Sequence, residues 1–363
     1  MSLVYKYNIV SSVEHEEHFV VKTANGRYHQ LPKPLFHKLV NLQSRDNSFD
    51  TTSLSSTIVE NLIEKNIIAS GEQTSISRSI DYHWRKGLIR GPLLSNICEH
   101  LRFTHNLTFL VFYLALMAAL GIQFSGEISA IFNYDNFNDA VSSITFGDLA
   151  VVLLFILVSG LVHELGHAVA HQKYTGNSYE IGVCINYIIP SFYADVSDTV
   201  MLNNRMQKVL IGLSGIYYQL LMLPIAISLF YSLSDVKTPI FITIVLGFQL
   251  FFNIFPTMRN DGYWVYRDLL NIKKYITPSQ SQPSRTLAEK MLLILAIPGF
   301  LYLSFITING TYSLVSIIQS GLDAFGTHQP FEYVRATLAL IYLIFTVKIL
   351  LSFIRIKAIK RPA

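Results

Sequence analysis

Within "VSGLVHELGHAVAHQKYTG", residues 158–176, two histidines and a glutamate stand at the end of a run that is otherwise almost purely apolar. His163 and His167 are four residues apart, so on a helix they share one face and can offer imidazole nitrogens to one ion. Glu164, one residue along from His163, sits near the same edge. This spacing suits Zn²⁺: neutral imidazole binds the metal without adding charge, and a nearby carboxylate can take a proton from water whose pKa the metal lowers toward neutrality. The short motif alone also occurs by chance in soluble helices. Its setting sharpens it, because an ionisable side chain at membrane depth costs about 2.5 kcal/mol or more on insertion scales and survives when paired, metal-bound or functional. A polar cluster capping a helix end at the membrane interface is the competing explanation.

Two nitrogens and a water leave tetrahedral zinc one ligand short. A later segment, "FQLFFNIFPTMRNDGYW", can supply it: an apolar helix runs out through Asn253, Pro256 ends it, and Gly262 lets the backbone turn so that Asp261 points inward. His171 continues the histidine row but lies about 12 Å along the helix axis from His163, too far to share its metal without a break in the helix, and is expected to be structural or interfacial. Asp195 and Asp198, in "ADVSD", follow a Gly- and Pro-punctuated segment, Gly176 to Pro190, that reads as a hairpin folding back near the site. Capping and loop fixation are their expected roles.

The elements that must hold these residues are membrane helices. The chain has 363 residues, 51% hydrophobic and only 14% charged, which is not the balance of an ordinary soluble domain. By the rule of about 20 apolar residues per crossing, roughly six spans are expected. They are Leu107 to Phe124, Leu149 to Ala170, Val209 to Leu233, Pro239 to Phe255, Met291 to Ile308, and Ala336 to Ile354. Lys and Arg gather in the alternate segments, around Arg205 and Lys208, over Arg259 to Lys290, and in "RIKAIKRP". The positive-inside rule then puts both termini in the cytoplasm. The two cysteines, Cys98 and Cys184, match no metal or disulfide spacing and are expected to be structural. No secretory signal pattern opens the chain, so the internal spans are expected to direct insertion.

Ahead of the spans, residues 1–75 read as a small soluble domain. Asn25-Gly26 marks a β-hairpin. One helix follows with Leu35, Phe36, Leu39 and Val40 on its stripe, and a second with Leu54, Ile58, Leu62 and Ile67. The pattern is winged-helix-like. Residues 76–106, with Trp84, Leu88, Ile89 and Leu93 beside Arg85, Lys86 and Arg90, are expected to form a basic helical connector, lying on the membrane surface or packing against the soluble domain. Residues 107–363 complete the expected fold: mainly α, a polytopic membrane helix bundle with a small α+β N-terminal domain.

"HELGH" in one span with N-x-x-P-x-x-x-x-D-G in a later one resembles the site-2 protease family of intramembrane zinc metallopeptidases. "PSFYADVSDTVMLNNRMQKVLIGLSGIYYQ" and "NIFPTMRNDGYWVYRDLLNI" are similar, more closely, to its bacterial peptide zinc metalloprotease branch. The resemblance covers residues 149–272. It implies that His163, His167 and Asp261 are zinc ligands, that Glu164 is the catalytic base and that Asn253 holds the substrate backbone. It also implies an integral protein of the bacterial cytoplasmic membrane. The sequence departs from the family at Ser214-Gly215-Ile216 and at Met258-Arg259-Asn260.

The N-terminal hairpin loosely resembles the small winged-helix domains that recognise leader peptides in pathways making modified ribosomal peptides. That resemblance implies a precursor peptide as partner, adding a strand to the hairpin edge; a folded regulatory or stabilising domain is the alternative. Nucleic acid is not expected as a partner: a winged helix can bind it, but the acidic "EHEEH" stretch and the lack of a basic helix argue against it. The expected function is hydrolysis of a peptide bond in a membrane-associated or precursor peptide. The alternative is a non-proteolytic component of peptide export or self-immunity with a structural metal site. A metal transporter would need acids or histidines spread over several spans, and the last two are almost devoid of them.

Overall fold

The computed structural model describes residues 5–42, 48–49, 54–69, 84–123, 125–126, 145–186, 189–233, 237–256, 260–272 and, from 286 to 297, all but 293 and 296. Its contacts divide the chain into two compact units. One is drawn from Met1–His105 and Glu164–Ile211, the other from Asn106–His163 and Gly212–Ala363.

In the first unit, strands β1 (Tyr5–Tyr7), β2 (Ile9–Glu14), β3 (His18–Thr23) and β4 (Tyr28–Pro32) lead into helix α1 (Lys33–Leu42). Strand β5 (Ser48–Phe49), helix α2 (Ser56–Glu64) and strand β6 (Ile68–Ala69) follow. β2, β3 and β4 form one antiparallel sheet; β5, β1 and β6 form another. The expected hairpin joins β3 to β4 at Asn25-Gly26, where Gly26 takes φ 79°, a left-handed conformation that costs glycine little. The expected helical stripes converge on one core of Phe19, Val21, Leu31, Phe36, Leu39, Leu62, Ile67 and Ile68. Val40 and Ile58, expected on those stripes, are exposed instead.

The connector departs from expectation. Trp84–Arg90 forms strand β7, and only from Gly91 does helix α3 (Gly91–Leu101) begin. The reason is a partner far along the chain. β7 pairs antiparallel with β8 (Glu180–Asn186), which pairs in turn with β9 (Ile189–Ala194), the expected hairpin after Gly176. A Cβ on Gly182 would come within 2.3 Å of the Lys86 carbonyl oxygen, so the close strand approach requires glycine there. Trp84, Lys86, Leu88 and Arg90 are the exposed, alternating residues of β7.

Asp198 ties the N-terminal strands to this segment. It lies in a 3-10 turn (Ser197–Met201) and accepts hydrogen bonds from Lys22 Nζ of β3 at 2.8 Å, from Asn177 Nδ2 at 2.9 Å, and from the hydroxyls of Tyr28 and Tyr179. Burial by itself would raise the carboxyl's pKa. The donated hydrogen bonds and the Lys22 charge outweigh it and hold the value at about 2, while the same pairing raises Lys22 against its own burial. Asp195 behaves as expected, its Oδ1 accepting from the Ser197 backbone N–H at 3.1 Å and from the Ser197 hydroxyl at 2.5 Å.

The long helices are α4 (Leu107–Gln123), α5 (Phe146–Thr175), α6 (Arg205–Leu233) and α7 (Lys237–Ile254), followed by the short α8 (Asp261–Leu269). They occupy the first four expected spans. Ala150–Thr175 is long and apolar enough to cross a membrane, and only 28% of its most apolar window is buried. A soluble core helix would be mostly buried; here Leu153, Leu154, Leu157 and Val158 face outward. The segments Gly91–His105 and Leu107–Gln123, bent by 69°, pass the same test together, and the apolar stretch Phe241–Ile254 is shorter. The described residues therefore establish one such helix, or two if the bent pair is one span, and do not establish a six-helix bundle. The expected span at Met291–Ile308 lies largely outside the described residues, and that at Ala336–Ile354 wholly so.

The Asp198 pairing generates a pH signature. A folded pKa of about 2 lies below that of an unfolded aspartate, roughly 3.9, so its stabilisation is complete above about pH 4 and is lost as the pH falls toward 2. Asp198→Asn should lower stability by about 2 kcal/mol at pH 7. Thermal unfolding of both proteins in detergent should show that gap closing between pH 4 and pH 2; a gap constant with pH would contradict the assignment.

Candidate metal centre

Helix α5 carries His163 and His167 through consecutive turns without a break. Both imidazoles are buried. His167 Nδ1 lies 2.7 Å from the carbonyl oxygen of Ile211. A carbonyl only accepts, so Nδ1 carries the proton and Nε2 holds the lone pair that a metal requires. This is the outer hydrogen bond that usually orients a ligating histidine.

Asp261 arrives through backbone contacts at the end of α7. Helix α7 stops at Ile254, and Pro256 follows within two residues. Asn260 then bridges the two helices. Its Oδ1 accepts from the Tyr263 N–H at 3.1 Å and caps α8, while its Nδ2 donates to the Phe255 carbonyl at 2.9 Å and to that of Phe252. Gly262 makes the approach sterically feasible. A Cβ there would lie 2.4 Å from the Ile254 carbonyl oxygen and 2.8 Å from that of Asn253. Glycine is therefore needed at this position for proximity; its φ is not among the positive values. That corrects the expectation of a glycine-dependent turn. Gly212 plays a similar part on α6, where a Cβ would meet Val265 of α8 at 2.7 Å.

The result is a carboxylate against the first imidazole. Asp261 Oδ2 stands 2.7 Å from His163 Nε2, and the ligand atoms of His163, His167 and Asp261 all lie within 4.8 Å of one another. Two donors on a tetrahedral zinc with bonds near 2.0 Å sit roughly 3.3 Å apart, so this set has the right chemistry and nearly the right spread. Two neutral nitrogens and one carboxylate leave a fourth position for water. The residues present fit zinc.

Glu164, half-buried on the next position of α5, lies near enough to Cys184 of β8 for its charge to act on the thiol. Burial first, then the Glu164 charge, pushes that thiol up to about 11, which keeps it protonated at neutral pH. Asn253 lies on α7, with its backbone carbonyl against Gly262 and its Nδ2 donating to Gln219 Oε1 at 3.4 Å. His171 stays out of the metal group. Its Nδ1 bonds the Asn177 carbonyl at 2.9 Å and its ring lies near Tyr179, the structural role expected of it. Asp195 and Asp198 likewise lie outside the group.

Sequence reasoning missed Asn260 and the Ile211 carbonyl. Asn260 had a readable signal, an asparagine immediately before a helix that opens with Asp-Gly. A backbone carbonyl has none.

Residues of this chain match one curated protein, "Putative peptide zinc metalloprotease protein YydH" of Bacillus subtilis (strain 168), at 26% identity over 128 residues. The match covers 34% of this chain and 50% of that protein, so it spans half the relative's length. No family model matches the chain, and no solved structure matches it. The likeness supports a zinc metalloprotease at a coarse level.

Detergent-purified full-length chain should hold about one zinc, lost in His163→Ala and in Asp261→Ala. Gly262→Ala keeps every ligand and should still lose most of the zinc, because its methyl group must push α8 off the α7 carbonyls. Metal analysis of the four proteins side by side checks this; full zinc in Gly262→Ala would show that the close approach does not set the position of Asp261.

Proposed function

We propose that the chain is an intramembrane zinc metalloprotease of the site-2 type, which hydrolyses a peptide bond in a membrane-associated or precursor peptide during maturation of a ribosomally made peptide. The observation that carries this reading is the meeting of Asp261 of α8 with His163 and His167 of α5, a helix whose apolar surface is largely unburied. Bound zinc would polarise the scissile carbonyl and lower the pKa of a water molecule toward neutrality. In this reading the bilayer is the protein's surroundings, a bacterial cytoplasmic membrane with both chain termini on the cytoplasmic side.

The chain's own residues divide the remaining work. His163, His167 and Asp261 hold the metal, and the Ile211 carbonyl keeps His167 in the tautomer that can do so. Glu164 takes the proton of the attacking water and delivers it to the leaving amine, since the same carboxyl is base in one step and acid in the next. A peptide bond inside a helix has its carbonyl occupied, so the substrate must unwind locally before it can be cut. Asn253 then holds the unwound backbone. The N-terminal hairpin, in the same reading, receives a leader peptide as an added strand.

Glu164→Gln keeps the shape of the site and removes the base. It should retain zinc and lose at least about 100-fold in turnover. The check is comparative peptide analysis of membranes carrying reconstituted, zinc-loaded wild type or Glu164→Gln, in which cleaved products should appear with wild type alone. Equal product from both proteins would remove Glu164 from the mechanism. No product from zinc-replete wild type given membrane and precursor peptides would move the chain to a non-proteolytic role in export or immunity.

A further inference from the structure

One buried polar cluster lies outside the metal group. Ser159 of α5, Gln219 of α6, and Gln249 and Asn253 of α7 hydrogen-bond to one another among apolar helices, with Ser159 and Gln219 both buried. Ser159 stands one turn before His163 on the same face of α5, in the row that continues to His167. Asn253 stands one turn beyond Gln249 on α7, with its backbone against Gly262, next to Asp261.

The donors and acceptors in this cluster are coupled from one amide to the next. The Ser159 hydroxyl donates to Gln249 Oε1 at 2.8 Å, and Gln219 Nε2 donates to the same oxygen at 3.2 Å and to Ser159 Oγ at 3.4 Å. With Gln249 Oε1 accepting from both, Gln219 stands with its nitrogen toward Gln249 and its oxygen toward Asn253. Asn253 must then meet that oxygen with Nδ2, at 3.4 Å. Reversing the Gln219 or the Asn253 amide alone would put two oxygens together with no proton between them, which a water-poor site disfavours strongly, so the amides keep their bonds only by turning together.

We infer that Gln219 is a positioning residue that fixes the Asn253 amide with its nitrogen inward, so that Asn253 presents Oδ1, an acceptor, to a backbone N–H of the bound peptide. The inference rests on the protease reading of the same site and deepens it. It specifies what Asn253 recognises: the N–H of an unwound segment, which a helical segment keeps for its own i−4 carbonyl. The hydrogen-bond contribution to substrate choice therefore favours peptide over any backbone lacking that donor.

The test uses full-length, zinc-loaded protein in detergent and a peptide hydroxamate as probe, together with analogues in which each backbone amide in turn is replaced by an ester. Binding is measured directly. In wild type, one of the ester replacements should weaken binding about ten-fold, because it removes the donor that Asn253 accepts. Gln219→Met, similar in size and without the acceptor, should reduce that penalty to less than about two-fold at unchanged zinc content. Gln219→Glu should keep it, since a carboxyl held neutral by burial still offers an oxygen to Asn253 and a hydroxyl to Gln249. A full ten-fold penalty in zinc-replete Gln219→Met would overturn the inference, as would the absence of a penalty at every position in wild type. The wild-type series needs no variant to fold, and Gln249→Met, which removes the oxygen that orients Gln219, gives a second loss of discrimination to look for. If zinc-loaded wild type binds no hydroxamate at all, the protease reading itself fails.

Discussion

Two imidazoles one turn apart on an apolar helix have to be satisfied by something other than water. Each has one nitrogen that donates and one that accepts, and the surroundings of α5 supply partners to both histidines. The Ile211 carbonyl takes the His167 proton, and Asp261 faces His163 at 2.7 Å. The remaining architecture of the site follows from delivering those partners. A carboxylate must reach a helix face from elsewhere in the chain, and a backbone carbonyl must stand at a fixed distance from a ring.

Close backbone packing meets that requirement. Helix α8 starts almost on top of the last carbonyls of α7, which is feasible because residue 262 has no side chain and because Asn260 satisfies both helix ends at once. Orphan groups at helix termini normally turn to water or to caps. Here one asparagine serves an N-terminus and a C-terminus together, and Asp261 is placed as the first residue of the helix that asparagine caps. The same economy of space recurs at Gly212, so α6, α7 and α8 each meet a neighbour at a position where a side chain would intrude or where a carbonyl is already engaged.

Polar satisfaction also organises the region beyond the site. Asp198 gathers Lys22, Tyr28, Tyr179 and Asn177, so the N-terminal strands and the segment after α5 are held by one carboxylate that has four donors. A paired, hydrogen-bonded carboxylate can stay charged in a largely buried place, whereas an unpaired one would take up a proton. The sheet β7–β8–β9 adds a second link within the same unit, joining residues nearly a hundred positions apart. Both ties put the chain around Glu164 in a setting built from distant segments.

Parts with a local signal could be read from consecutive residues. The i, i+4 histidines, the glutamate between them, the Asn25-Gly26 hairpin and the stripes of Phe36, Leu39, Leu62 and Ile67 were legible because helix and strand periodicities are properties of consecutive residues. Asp261 was legible as a candidate because the metal chemistry demanded a third donor and few acids lie in the apolar part of the chain. Tertiary structure decided the rest. Whether Trp84–Arg90 becomes helix or strand depends on Glu180–Asn186, which no local pattern reveals, and the strand pairing overrides an amphipathic reading. The tautomer of His167 depends on a main-chain oxygen of another helix, which carries no side-chain signature. The role of Gly262 is set by the carbonyls of Asn253 and Ile254, and the Asn253 amide is coupled to that of Gln219, so each depends on a neighbour that only the packed chain brings within reach.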